Sequence, residues 1–274
     1  MLYLGDVTFN PYINLDKRIK SLLLHIDKKF LNSFYSKQYL YYLLRWTLRP
    51  NEISPNKRYG ILASLCDKYG SDKGSLAIQS ATYPWPPHLY DYWYEKQFFP
   101  LRSKVSKVLE IGIGTNNPKL SSTMGLKANP GASLRVWREF FPNAKVYGGD
   151  IDKQILFEEQ RISTYYVDQT NPASIQSMWE RIGFNKFDLI VDDGLHTFEA
   201  NSTLLANCIG KLSDTGVYVI EDIRVDDAMR KWKLFLKEKK EIRFKWIIFK
   251  GKSWRFPEVI LVVWRPRLKS PNMT

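Results

Sequence analysis

From about residue 104 onward, short apolar runs alternate with stretches whose apolar residues recur every three or four positions. Lys107–Ile111, Lys145–Asp150, Thr164–Val167, Phe187–Val191 and Gly216–Ile220 read as strands, while Ser133–Phe141, Pro172–Ile182 and Thr197–Leu212 read as helices. Strands alternating with helices predict an α/β fold: a mostly parallel sheet covered on both faces. A further helix, Asp227–Lys239, precedes two runs, Arg243–Phe249 and Glu258–Trp264, around a Gly251-Lys252 turn. Strands this close in the chain pair antiparallel, so the sheet should end antiparallel. Ahead of all this, residues 14–49 form an amphipathic helix candidate, with Ile19, Leu22, Leu23, Ile26, Phe30 and Phe34 spaced by lysines. The prolines and polar residues of 50–58 predict a linker. The chain thus divides into a helical extension over 1–60, a lid segment over 61–103 and an α/β domain over 104–268.

Composition changes the picture in three ways. The 274 residues are 44% hydrophobic and 15% aromatic, enough for a sizeable core. No run approaches the roughly eighteen apolar residues a membrane-spanning helix needs, and the amino terminus lacks a signal-peptide pattern. With only Cys66 and Cys208 there is neither a disulfide framework nor a zinc cluster. A reducing, cytoplasmic setting is expected. The net charge of +13 is unevenly spread: +6 over residues 1–103, −3 over 104–222 and +10 over 223–274. A nucleic-acid footprint normally runs past the active site, so the acidic middle makes nucleic acid the secondary partner. The basic 14–49 helix suits packing on the domain or on a second copy of the chain, and alternatively an anionic membrane surface, as a peripheral contact.

In doubly wound sheets ligands bind beyond the carboxyl ends of the strands. The first strand ends in Glu110-Ile111-Gly112-Ile113-Gly114, a turn that lets a ligand approach the backbone, or else an ordinary tight turn. The third glycine of a dinucleotide fingerprint is replaced by Asn117. Asp150, ending the second strand, is placed to accept from a ribose, and Asp168-Gln169 after the third to reach an adenine edge; singly, each is equally a solvated strand-end acid. Asp192-Asp193-Gly194-Leu195-His196 and Glu221-Asp222 end the next two strands. Neighbouring strands lie about 4.8 Å apart, so Asp193, Glu221 and Asp222 can converge on one hard cation such as Mg²⁺, with His196 at the rim as the titratable group. The competing reading has Asp193 capping the following helix and Glu221-Asp222 pairing with Arg224.

These stretches together resemble a known family. Glu110-Ile-Gly-Ile-Gly, Gly131-Ala-Ser-Leu-Arg-Val-Trp, Phe141-Pro-Asn-Ala, Tyr147-Gly-Gly-Asp150, Asp192-Asp-Gly-Leu-His196 and Val219-Ile-Glu-Asp222 are similar to the metal-dependent sugar O-methyltransferases of macrolide tailoring and polysaccharide modification. Upstream, Tyr69-Gly-Ser-Asp-Lys-Gly74, His88-Leu-Tyr90 and Phe98-Phe-Pro-Leu-Arg102 fit as well, and the resemblance covers about residues 66–265. It implies the Rossmann-like class I methyltransferase fold, with S-adenosylmethionine and a divalent cation, Mg²⁺ or another, as cofactors. It places Glu110, Gly112, Gly114, Asp150, Asp168, Gln169 and Asp192 at S-adenosylmethionine, and Asp193, Glu221 and Asp222 at the metal. Asp193 and His196 become the catalytic pair, His196 as general base. The implied acceptor is a sugar hydroxyl on a glycan, glycoside or nucleotide-linked sugar, which the basic flanks would suit if anionic, and the implied assembly is a homo-oligomer. Leu195 stands where the family usually has a small Ser, which bears on the acceptor pocket. A nucleic-acid methyltransferase, a catechol-type O-methyltransferase and a non-catalytic scaffold are the alternatives.

Overall fold

The computed structural model describes residues 52–53, 60–76, 83–184, 186–223, 227–249 and 258–266. The amphipathic helix read over 14–49 and the greater part of the 1–60 extension lie outside them. Among the described residues nine strands form one sheet: β1 (Glu52–Ile53), β2 (Lys107–Ile111), β3 (Lys145–Asp150), β4 (Glu158–Glu159), β5 (Ile162–Tyr166), β6 (Phe187–Asp192), β7 (Leu212–Ile220), β8 (Arg243–Phe249) and β9 (Glu258–Trp264). Their order is β1-β8-β9-β7-β6-β2-β3-β5-β4. The five strands from β7 to β5 run parallel, while β9 sits between β7 and β8, antiparallel to both. The mostly parallel sheet with an antiparallel last strand is therefore present. Two short strands add to it. β1 pairs parallel with β8 inside the segment read as a linker, and β4 pairs antiparallel with β5.

The three central strands β2, β3 and β6 are almost continuously buried, as strands covered on both faces must be. On one face α3 (Ala132–Phe140) packs with α1 (Ile61–Tyr69) and α2 (Tyr90–Phe98), joining Leu62, Tyr94, Trp137 and Phe140 to Val108, Val146 and Val191 in one core. Gly148 permits this approach, since a Cβ there would fall 2.5 Å from Leu134 Cδ1. The other face carries α4 (Pro172–Ile182) and α5 (Phe198–Cys208). Local chemistry sets their ends: Asn171 caps α4 ahead of Pro172, Gly183 ends it in the left-handed conformation, and Thr197 caps α5. α6 (Asp227–Glu238) lies on α5 through Trp232 and Phe235 against Phe198. The lid segment is thus not a loose cover: α1 and α2 within it share the core of the sheet. Cys66 and Cys208 are both free and buried. Among the described residues no helix is long and apolar enough to cross a membrane.

Candidate active site

The tips of β2, β6 and β7 emerge side by side. Asp193 N–H donates to the Ile111 carbonyl (2.8 Å), and Glu221 N–H to the Asp192 carbonyl (3.0 Å). Gly112 adopts φ +88°, and a Cβ there would lie 2.1 Å from the Asp193 carbonyl oxygen. Only a glycine lets the turn after β2 pass so close to the end of β6.

Into this row reaches Lys73, from the turn after α1. Its Nζ is 2.5 Å from Asp193 Oδ2 and 3.3 Å from Glu110 Oε1, and it also donates to Glu221 Oε2. The other oxygen of Glu221 accepts from the Tyr94 hydroxyl (2.6 Å), and that of Glu110 from Trp137 Nε1 (2.5 Å). Asp222 accepts from the Tyr90 hydroxyl and lies 3.6 Å from His88 Nδ1. His88 also stands 2.5 Å from Glu258 Oε1 and 3.4 Å from Asp72 Oδ2. Glu110, Asp193, Glu221 and Asp222 therefore each meet a donor from the segment between α1 and the end of α2.

Outside Lys73 lies a second convergence. Asp193, His196 and Asp222 each offer one ligand atom, all within 4.8 Å of one another. His196 Nε2 is 3.9 Å from Asp193 Oδ1 and 4.0 Å from Asp222 Oδ2. His196 and Asp222 both have left-handed backbones, φ 57° and 53°. Such conformations cost a non-glycine residue about 1 kcal/mol or more, and this strain sits at the cluster itself. Burial pushes Asp193 up to about 7, against the pull of Lys73, and it raises Glu221 well above the carboxylate range. Burial works on Asp222 too, but His88 and His196 hold it below its ordinary value. For Lys73 burial is outweighed by Asp193, Glu110 and Glu221, which keep the ammonium charged. Two carboxylates around one space, with no cysteine, form a donor set that fits a hard divalent cation, and His196 Nε2 stands at its rim.

Beside this cluster opens a cleft of about 340 Å³ lined by Gly112, Gly114, Asp72, Ser133 and Asp193. The glycine turn lets a ligand approach the backbone here, so the cleft fits part of a nucleoside-bearing cofactor. The acids on its far side organise their own loops. Asp150 accepts from the backbone N–H of Ile113 and of Asp152, both at 2.9 Å, and Asp152 accepts from Thr115 Oγ1 (2.6 Å). Asp168 accepts from Thr170 N–H (2.9 Å).

Three residues expected at the cofactor are turned inward instead. Glu110 and Asp192 have no exposed surface. A buried carboxylate needs partners, and these have them: Trp137 and Lys73 for Glu110, Tyr218 (3.1 Å) and Gln169 (3.2 Å) for Asp192. Gln169 donates to Asp192 and accepts from the Leu195 N–H (2.8 Å), tying the β6–α5 turn to the end of β6. Glu221, expected at the metal, has one oxygen accepting from Lys73 and the other from Tyr94. The alternative cap does not form, since Thr197, not Asp193, caps α5 by accepting from Ala200 N–H (3.2 Å). Arg224 lies outside the described residues. What sequence reasoning missed is the donor set Lys73, His88, Tyr90 and Tyr94. A lysine locked between Asp72 and Gly74 in an otherwise tight turn was the available signal.

No family model matches the chain. It is 32% identical over 163 residues to the 8-demethyl-8-alpha-L-rhamnosyl tetracenomycin-C 2'-O-methyltransferase of Streptomyces olivaceus, covering 60% of this chain and 38% of that enzyme. It is 33% identical over 160 residues to demethylmacrocin O-methyltransferase of Streptomyces fradiae, covering 58% and 38%. With mycinamicin VI 2''-O-methyltransferase of Micromonospora griseorubida the identity is 33% over 159 residues, covering 56% and 37%. The chain thus spans less than two fifths of these relatives' length, and all three are O-methyltransferases by name. The fold is shared with the MycE methyltransferase of the mycinamycin pathway, solved in complex with Mg and SAH. That match has a TM-score of 0.55 at 23% identity and covers 80% of this chain and 58% of that one.

Proposed function

We propose that this chain is an S-adenosylmethionine-dependent O-methyltransferase acting on a sugar hydroxyl, assisted by Mg²⁺ or another divalent cation. The observation that carries the reading is the convergence of Asp193, Asp222 and His196 Nε2 beside the glycine-lined cleft. The named activities of the relatives support it. Asp193 and Asp222 hold the cation, with Glu221 fixed next to Asp193 through Lys73. Bound there, the cation would supply Lewis acidity that lowers the pKa of an acceptor hydroxyl, and S-adenosylmethionine the electrophilic methyl group. His196 accepts the hydroxyl proton at Nε2, the ring nitrogen that faces the two carboxylates. The cleft beside Gly112 and Gly114 receives the methionine end of the cofactor, while Asp150 and Asp168 lie toward its nucleoside. Leu195, in place of a small residue, narrows the acceptor side next to the base. The basic flanks suit an anionic acceptor, assembly with further copies and a contact at the membrane surface of a cytoplasmic enzyme.

The test uses labelled S-adenosylmethionine against three pools: glycans with nucleotide sugars, total RNA, and simple catechols, each with Mg²⁺ and with a chelator. Label in the glycan pool that vanishes with chelator is expected. Label in RNA that survives chelation would replace this reading with nucleic-acid methylation.

A further inference from the structure

Resting on the reading above, we infer that Lys73 is a positioning residue for the divalent-cation site, a tethered cation that fixes one side of Asp193 so that its other side can hold the metal. The three acids it gathers, Glu110, Asp193 and Glu221, stand at the ends of β2, β6 and β7, which are neighbours in the sheet. Three carboxylates this close and this buried repel one another, and each is costly without a counter-charge. The sequence pattern alone leads to a metal ion in that position. The structure fills it with the Lys73 ammonium, only 4% exposed.

The consequence is geometric. Asp193 Oδ2 is engaged by Lys73 at 2.5 Å, which leaves Oδ1 turned toward His196 Nε2. Glu221 is held at both oxygens, by Lys73 and by Tyr94, and stays in the inner layer. The space beyond Asp193 Oδ1, shared with Asp222 and His196, is thereby left open next to the cleft. Lys73 is itself pinned: its carbonyl accepts from Asp91 N–H (3.0 Å), and the Asp72 carbonyl from His88 N–H (2.7 Å). The turn that carries it is therefore built onto the start of α2 and cannot drift from the strand tips.

The test measures Mn²⁺ binding to the full chain by electron paramagnetic resonance, and S-adenosylhomocysteine binding by calorimetry in the presence of chelator. In Lys73→Met, which keeps the side-chain stem and removes the charge, Mn²⁺ affinity should fall roughly ten- to a hundredfold, as for other outer-layer partners of metal ligands. The spectrum of the bound ion should change as well, while S-adenosylhomocysteine affinity stays close to wild type. Wild-type Mn²⁺ affinity and spectrum in the folded variant would overturn the inference, as would equal losses of both affinities, the mark of a merely structural role. Should Lys73→Met not fold, Tyr94→Phe decides: it keeps the ring against Trp137 and frees one oxygen of Glu221. A weaker Mn²⁺ affinity is expected, and an unchanged one overturns the inference. If the wild-type chain binds no Mn²⁺, the functional reading fails first and this inference with it.

Discussion

The two halves of the sheet end in similar numbers of acids and organise them in opposite ways. At the β3 and β5 tips, Asp150, Asp152 and Asp168 accept mainly from backbone N–H groups of their own or adjoining turns. At the β2, β6 and β7 tips, Glu110, Asp193, Glu221 and Asp222 are held by side chains distant in sequence: Lys73, Tyr90, Tyr94, His88 and Trp137. Backbone donors fix a carboxylate as an acceptor of hydroxyls and amides. Cationic and phenolic side chains fix it while leaving one face free for a further positive charge. In the function proposed here, the first half would hold a neutral polar group and the second an ion.

That contrast can be broken one half at a time. Asp193→Ala and His196→Ala should each abolish methyl transfer while calorimetry finds S-adenosylhomocysteine binding nearly intact; full turnover in either variant removes the role assigned. Asp150→Ala should do the reverse, weakening S-adenosylhomocysteine roughly ten- to a hundredfold, the loss of a buried acceptor worth about 1–3 kcal/mol, with Mn²⁺ affinity unchanged. Gly112→Ala strikes the seam between the halves. A left-handed backbone and a Cβ overlapping the Asp193 carbonyl should cost at least about 2 kcal/mol, a fall in melting temperature of roughly 4–8 °C.

The smallest effect comes from an acid in the donor segment that has no cation. Asp91 accepts from Ser75 (2.7 Å), but its Oδ1 has no hydrogen-bond partner, and burial pushes it up to about 7. Its folded value lies above the unfolded one, so the stability it contributes is full at acid pH and is lost as pH rises through 7. Asp91→Asn should therefore melt close to wild type at about pH 4, near the unfolded pKa, and a few degrees above it at about pH 8, past the folded one. Equal melting temperatures at both pH values would show that the carboxyl is not strained by burial.

The same contrast explains what could be read from the chain beforehand. The β3 and β5 half is local: Asp150 bonds two residues along and to the adjoining turn, so strand ends and acids in order sufficed to find it. The convergence of Asp193, Asp222 and His196 was legible because all three lie within four residues of a strand end. Their partners were not, since Lys73 lies 120 residues from Asp193 and Tyr94 127 from Glu221, and no spacing rule links them. The burial of Asp192, Gln169 and Glu110 was not legible for a related reason. Pleating decides whether a strand-end side chain faces cleft or core, and a one-residue step reverses it. The β1 strand was hidden by prolines, which outweighed a two-residue pairing with β8.

Because β9 lies between β7 and β8, the sheet closes in an order different from that of synthesis. While the ribosome is still extending the chain toward Trp264, β7 has already emerged with its outer edge unpaired, an edge that invites wrong partners. The arrival of β9 ends that hazard and in the same movement delivers Glu258 to His88, which stands beside Asp222. Completion of the sheet and completion of the buried charge network are one event, so a nascent chain stopped short of residue 258 would lack both.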